Sequence, residues 1–392
     1  MRPASGAKSE KRYETASRRS SCCRALSTTG TGSSPPVPVR KWSIAAAVVL
    51  AAALVFLFVV TARPPRDQWR ITKVFIPKGS TFPEIEKALA GKGALLYPLA
   101  FRILTIGTMT GTKLQHGEYA LPTPPSALEL WRKLVSGDVA KYQVTIFDGS
   151  TLYDIAKTLG TLELADPGNF LAAATSPDVA GKMGTPGPTL EGYLFPDTYL
   201  FVKEMSPEEI IGIMVRRFHK KFTPEMERMA EKDGFTPHQI VTIASIIEKE
   251  TGMEAEKPLI SAVIRKRLSL GMPLQMDPTV IYGLKKFDGN LTRKDLRTLH
   301  PYNTYQNQGL PPGPISTPGH SSLQAAVKPA DTDYLYFVSR NDGSHQFSRD
   351  LREHNQAVAV YQKGGNPDMA RSDGPVGKSN SGEEASTPPP RP

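Results

Sequence analysis

The chain has 392 residues, more than one average domain, and is rich in glycine and proline, at 32 and 35 residues. Its net charge of +10 is concentrated at one end: Met1 to Lys41 carries nine Lys/Arg against Glu10 and Glu14, a net +7, which leaves about +3 for everything else. No basic stripe interleaved with aromatics follows, so nucleic acid is excluded as a partner. The two cysteines, Cys22 and Cys23, are adjacent in that basic segment, so the remainder has no disulfide. The seven histidines are scattered without a ligand pair, and neither a metal nor another cofactor is expected.

In chain order, residues 1–41 are rich in Ser, Thr, Arg and Pro and are expected to form a disordered tail. Residues 42–62 follow as a membrane-spanning helix: Ile44 to Val60 runs for seventeen residues without a polar side chain. The basic flank ahead of it puts the N-terminus in the cytoplasm and the long C-terminal part outside, by the positive-inside bias. A cleaved signal peptide is the alternative, but the apolar stretch is too long for one.

Residues 68–162 contain an internal repeat. Val74 to Leu89 aligns with Val144 to Leu159 at an offset of seventy. Each copy reads as a strand, a turn at Gly79 or Gly149, and a helix capped by Ser80-Thr81 or Ser150-Thr151. The pattern resembles the first half of LysM modules, which bind glycan, although a plain packing unit has the same spacing. Between the copies, Ala127 to Val135 is expected to be a helix capped by Ser126.

Residues 163–363 are expected to be mainly helical, with helices at Pro207–His219, Pro237–Thr251 and Lys257–Ser269, and a β hairpin at Asp333–Ser348. Residues 364–392 lack aromatics, Leu and Ile and are expected to be disordered. The fold class is therefore α+β.

Four segments suit chemistry on a sugar. The helix from Pro237 has Thr236 as its cap and Gly252 as its expected stop, with Glu248 and Glu250 on opposite edges of its apolar stripe. A carboxyl in a last turn faces the negative end of the helix dipole, which raises its pKa toward that of a general acid. Periodicity does not choose between the two. Leu190 to Phe201 sets Tyr193 and Tyr199 beside Glu191 and Asp197, a composition suited to a sugar platform although it more often makes a core strand and turn. Leu274 to Gly283, with Gln275, Asp277 and Tyr282, and His300 to Tyr305, with Tyr302, Asn303 and Tyr305, read as ordered binding loops.

Taken together, Glu191-Gly-Tyr-Leu-Phe-Pro-Asp-Thr-Tyr199, Ile243-Ala-Ser-Ile-Ile-Glu-Lys-Glu-Thr251, Leu274-Gln-Met-Asp-Pro-Thr-Val-Ile-Tyr282, Pro301-Tyr-Asn-Thr-Tyr305 and Gly309-Leu-Pro-Pro-Gly-Pro-Ile315 resemble the MltG/YceG-like family of endolytic murein transglycosylases. The resemblance spans about residues 70–362. It implies cleavage of the MurNAc-GlcNAc β-1,4 bond within glycan strands, with Glu248 as acid/base and an intramolecular attack that leaves a 1,6-anhydro end. It also implies a catalytic domain in the periplasm, anchored in the inner membrane, with peptidoglycan strands and glycan-synthesising enzymes as partners. One departure is Asp148-Gly149, where the family tends to have Glu-Gly. Two alternatives stay open: a muramidase pairing Glu248 with Asp277 or Glu191, and a non-catalytic wall-binding scaffold.

Overall fold

The computed structural model describes residues 39–62, 70–123, 125–284 and 287–364, so nearly all of the two expected disordered tails lies outside the described residues. The chain divides into two compact units, one ending at Phe58 and the other beginning at Val59. The first holds most of α1 (Val39–Thr61). From Trp42 to Thr61 this helix is long and apolar enough to cross a bilayer, since twenty residues at about 1.5 Å each match a hydrocarbon core of about 30 Å.

In the second unit the first repeat begins with β1 (Arg70–Ile76), followed by α2 (Phe82–Gly91), α3 (Pro98–Gly107) and β2 (Gly117–Thr123), which returns antiparallel to β1. After α4 (Ala127–Ser136), the second repeat follows the same course. β3 (Tyr142–Thr145) leads through α5 (Leu152–Thr161), α6 (Pro167–Ala174) and α7 (Pro177–Lys182) to β4 (Thr198–Phe201), which pairs antiparallel with β3. The shared sequence signals act alike in both. Gly79 and Gly149 have φ of +82° and +76°, which only glycine adopts without strain. The Glu84 carboxylate accepts the Thr81 N–H at 2.7 Å, and Asp154 accepts the Thr151 N–H at 2.9 Å, so each helix start has its first donor satisfied.

The mainly helical body continues with α8 (Pro207–Lys221), α9 (Pro224–Lys232), α10 (Pro237–Glu250), α11 (Lys257–Ser269), α12 (Asp277–Gly283) and α13 (His320–Val327). A hairpin of β5 (Tyr336–Ser339) and β6 (His345–Ser348) and a final helix, α14 (Leu351–Lys363), complete it. Val144, Ile146, Ile155 and Leu159 of the second repeat share one apolar core with Ile240, Ile243 and Ile247 of α10 and Leu323 of α13. Burying each such side chain contributes roughly 1.5–3 kcal/mol, so the second repeat is held firmly to the helical body.

Three local expectations change. The segment Leu274 to Gly283 is not a loop throughout: α12 occupies Asp277–Gly283, with Pro278 in its first turn, where a missing N–H costs nothing. The stop of α10 is Thr251 in an extended conformation (φ −144°, ψ 140°), without a left-handed Gly252. The aromatic segment Leu190 to Phe201 is largely interior, with Tyr193, Phe195, Tyr199 and Phe201 all buried.

Candidate active site

Two carboxylates leave the C-terminal end of α10 on different sides. The Thr236 hydroxyl accepts the Gln239 N–H at 3.2 Å and starts the helix. Every residue from Ile240 to Ile247 is buried, which fixes its rotation. Two residues along a helix is a turn of about 200°, so Glu248 and Glu250 emerge on nearly opposite flanks.

Glu248 is tied into a polar cluster. Its Oε2 accepts the Gly319 N–H at 2.8 Å and its Oε1 lies 3.5 Å from the Lys257 ammonium. Lys257 also reaches Glu254 and the Ser321 hydroxyl, each at 2.8 Å. The turn of the second repeat closes over this flank. Gly149 N–H bonds Thr317 O at 2.8 Å, Thr317 N–H bonds Ser150 O at 2.7 Å, and Lys249 donates to Gly149 O at 3.2 Å. Asp148 abuts Gly319 so closely that a Cβ there would sit 2.6 Å from its Oδ2. Partial burial, and then the Glu248 charge, hold the Asp148 carboxyl above its ordinary range.

Glu250 opens into a cleft of about 470 Å³ shared with Arg267, Gln275, Asp277, Tyr305 and His354, a volume within the range of small-ligand sites. Burial pushes its carboxyl up to about 8, the Asp277 charge adds to the rise, and Arg267 opposes it. The Tyr305 hydroxyl donates to Asp277 Oδ1 at 2.6 Å and fixes that carboxylate. Gln275 sits at φ +52°, an uncommon conformation for a residue with a side chain, held by its N–H bond to Thr304 O at 3.1 Å. Arg267 is anchored by donation to Leu335 O at 2.7 Å and Leu274 O at 2.6 Å, so the cleft wall is rigid. A roomier hollow of about 600 Å³ beside Glu254 and Ser321 includes neither Glu248 nor Glu250 in its lining.

The other expected site residues fall elsewhere. Glu191 is buried, accepting from Tyr282 Oη at 3.0 Å and Leu152 N–H at 3.3 Å, with its second oxygen unpaired; burial raises its carboxyl to about 7. Tyr302 packs on Tyr282 with ring centres 4.9 Å apart. Tyr193 and Tyr199 present no open ring face: the first bonds His238 Nδ1 at 2.7 Å and the second bonds Phe195 O. Asp197 pairs with Arg217 at 2.5 Å. Asn303 is buried and donates to Thr298 O at 2.8 Å while accepting the Tyr305 N–H at 2.9 Å, so it braces the loop that carries Tyr305.

Glu250, Gln275, Asp277 and Tyr305 are therefore brought together, whereas Glu248 stands apart from them with Asp148, Lys257 and Gly319. Those last three were missed in the sequence. The available signal was the repeat, in which Lys78 of the first copy is replaced by Asp148 in an otherwise matching turn. Among the described residues, no group of three His, Cys, Asp or Glu side chains is arranged to hold a metal ion.

An α+β chain with one helix long and apolar enough to cross a membrane thus holds, at the end of α10, a carboxyl raised above its ordinary range beside a polar cleft, an arrangement suited to general acid catalysis. The chain belongs to the YceG-like family, whose family model matches residues 74–360. It is 32% identical over 312 residues to the endolytic murein transglycosylase of Bacillus subtilis (strain 168), covering 76% of this chain and 86% of that one. It is 29% identical over 320 residues to the endolytic murein transglycosylase of Streptococcus pneumoniae serotype 2, covering 74% of this chain but only 58% of that longer protein. The crystal structure of a yceG-like protein from Listeria monocytogenes matches with a TM-score of 0.51 and 32% identity, over 74% of this chain and all of that one.

Proposed function

We propose that this chain is an endolytic murein transglycosylase, held in the membrane by α1, that cleaves the MurNAc-GlcNAc β-1,4 bond inside glycan strands. The observation that carries this reading is the Glu250 carboxyl, pushed up to about 8 at the wall of a polar cleft next to Asp277. Such a group is protonated near neutrality and can act as a general acid. The family resemblance pointed to Glu248, but the geometry favours Glu250. Both oxygens of Glu248 are engaged by Lys257 and Gly319, and its side chain is only 8% exposed.

In this mechanism Glu250 gives its proton to the glycosidic oxygen as the bond to muramyl C1 breaks. The resulting carboxylate takes the proton of the muramyl C6 hydroxyl, whose oxygen attacks C1 and closes a 1,6-anhydro ring. Glu250 ends protonated and no water is consumed. The negative charge of Asp277 favours the protonated starting form of Glu250 and helps stabilise the positive charge that develops at C1.

The proximity of Asp277 favours one second reading, a hydrolase in which Asp277 positions a water for the same bond. Mass spectrometry of muropeptides released from purified sacculi tests the choice. Anhydro ends are expected; reducing MurNAc ends, heavier by one water, would select the hydrolase.

The finer organisation belongs to the same proposal. Residues 1–41 form a cytoplasmic tail, 42–62 cross the inner membrane, 68–162 form a LysM-like glycan-holding region, 163–363 cleave the strand in the periplasm, and 364–392 form a tail. The antiparallel closure of β1 with β2 and of β3 with β4 around intervening helices supports the LysM-like reading. Cutting a nascent strand would end its elongation, which suits contact with glycan-synthesising enzymes, testable by pull-down from solubilised membranes.

A further inference from the structure

The helix α3 is apolar on two sides. Its inner side buries Ala100, Phe101 and Thr105, and Phe101 stacks on Phe82 at the start of α2 with ring centres 5.9 Å apart. On its outer side Leu99, Ile103 and Ile106 recur at i, i+4 and i+7, and they are 70%, 46% and 71% exposed. Leu96 and Met109, just beyond the two ends, are 41% and 86% exposed. The helix is fixed in this attitude, because Trp131 of α4 donates to Thr110 at 2.9 Å behind it. An isolated exposed leucine needs no explanation, but an aligned row on a ten-residue helix does.

The row lies in the first repeat, which the chain cannot carry far from the bilayer. Arg70 opens β1 nine residues after Thr61 closes α1, and at about 3.6 Å per residue that tether spans at most about 32 Å. Charge agrees with a lipid surface. From Gly93 to His116 no acidic residue occurs, and exposed Lys92 and Lys113 flank the apolar row, while Arg102 is paired with the Glu86 carboxylate at 2.7 Å, an arrangement that favours anionic headgroups. We propose that the outer face of α3 rests on the lipid surface of the membrane that α1 enters, with Leu99, Ile103 and Ile106 in the headgroup and acyl boundary. The contact adds to the anchor without spanning the bilayer, and it limits how the glycan-cleaving unit tumbles above the membrane. It rests on the reading of α1 as a membrane anchor.

The test uses the full chain with Cys22→Ser and Cys23→Ser, reconstituted in phosphatidylcholine and phosphatidylglycerol vesicles. Ile106→Cys, or Lys157→Cys at an exposed position of α5 as control, carries an environment-sensitive fluorophore. Brominated acyl chains are expected to quench the Ile106 label severalfold more than the Lys157 label, and Leu99→Glu with Ile103→Glu is expected to abolish the difference while the protein still floats with vesicles. Flotation with equal quenching at both positions overturns the proposal and leaves the anchor standing. So does shielding of the Ile106 label that persists in detergent and grows with protein concentration, which means a second copy covers the face. Failure to float overturns the anchor and the proposal together.

Discussion

Lys257 and Glu248 form an ion pair at 3.5 Å in which both side chains are almost withdrawn from solvent, 3% and 8% exposed. The pair ties the end of α10 to the start of α11, and the Gly319 N–H extends it to the start of α13. Removing one partner leaves a buried charge uncompensated, so Lys257→Met is expected to lower stability by about 3–5 kcal/mol. Glu248→Gln keeps an acceptor for Gly319 and is expected to cost less. Urea unfolding of both variants checks the order.

Gly319 sits where a side chain has no room, against Asp148. Gly319→Ala is expected to destabilise by about 1–3 kcal/mol, as overpacking does. Asp148→Ala alone should be mild because that carboxylate is unfavourably close to Glu248. The double variant should recover part of the Gly319→Ala loss, and a strictly additive thermal melt would contradict the contact.

Asp277 contributes to the raised carboxyl of Glu250. Asp277→Asn removes that charge, so the Glu250 carboxyl falls toward its ordinary value and loses its proton at lower pH. Cleavage rates on sacculi measured against pH are therefore expected to show the alkaline fall displaced to lower pH. An alkaline limb that stays in place would show that Glu250 does not set it.

Two raised carboxyls, Glu191 in the interior and Glu250 at the cleft wall, give stability a defined pH dependence. Folding raises Glu191 to about 7 and Glu250 to about 8 from an ordinary 4.5, so across that window the folded state binds more protons than the unfolded one. Stability therefore falls as pH rises from about 5 to about 8. Glu191→Gln, which keeps a neutral group beside Tyr282, is expected to flatten the slope. Denaturant midpoints across that range give the measurement.

Much of this architecture was legible in local sequence. The offset of seventy residues announced two strand-turn-helix units because Gly79 and Gly149 serve backbone needs set within a few residues. The start of α10 was equally plain from Thr236 and Pro237. Contacts distant in sequence were not legible. Nothing near Glu248 announces Lys257, Gly319 or Asp148, which reach it from three other segments. The aromatics of Leu190 to Phe201 could suit sugar or core, and burial of Tyr193 and Tyr199 follows from how β4 packs, which no local pattern encodes. Helical periodicity put Glu248 and Glu250 on opposite edges; their different surroundings became visible only when α11, α12 and α13 were in place.

In the proposed mechanism Glu250, and not Glu248, moves the proton. Glu250→Gln and Glu248→Gln can be compared for release of anhydro-muropeptides from sacculi, with thermal melts and sacculus pull-down run on the same preparations. Glu250→Gln is expected to abolish release while binding and folding persist, and Glu248→Gln is expected to retain measurable cleavage. Full activity in Glu250→Gln, with loss confined to a well-folded Glu248→Gln, would assign the proton transfer to Glu248 instead.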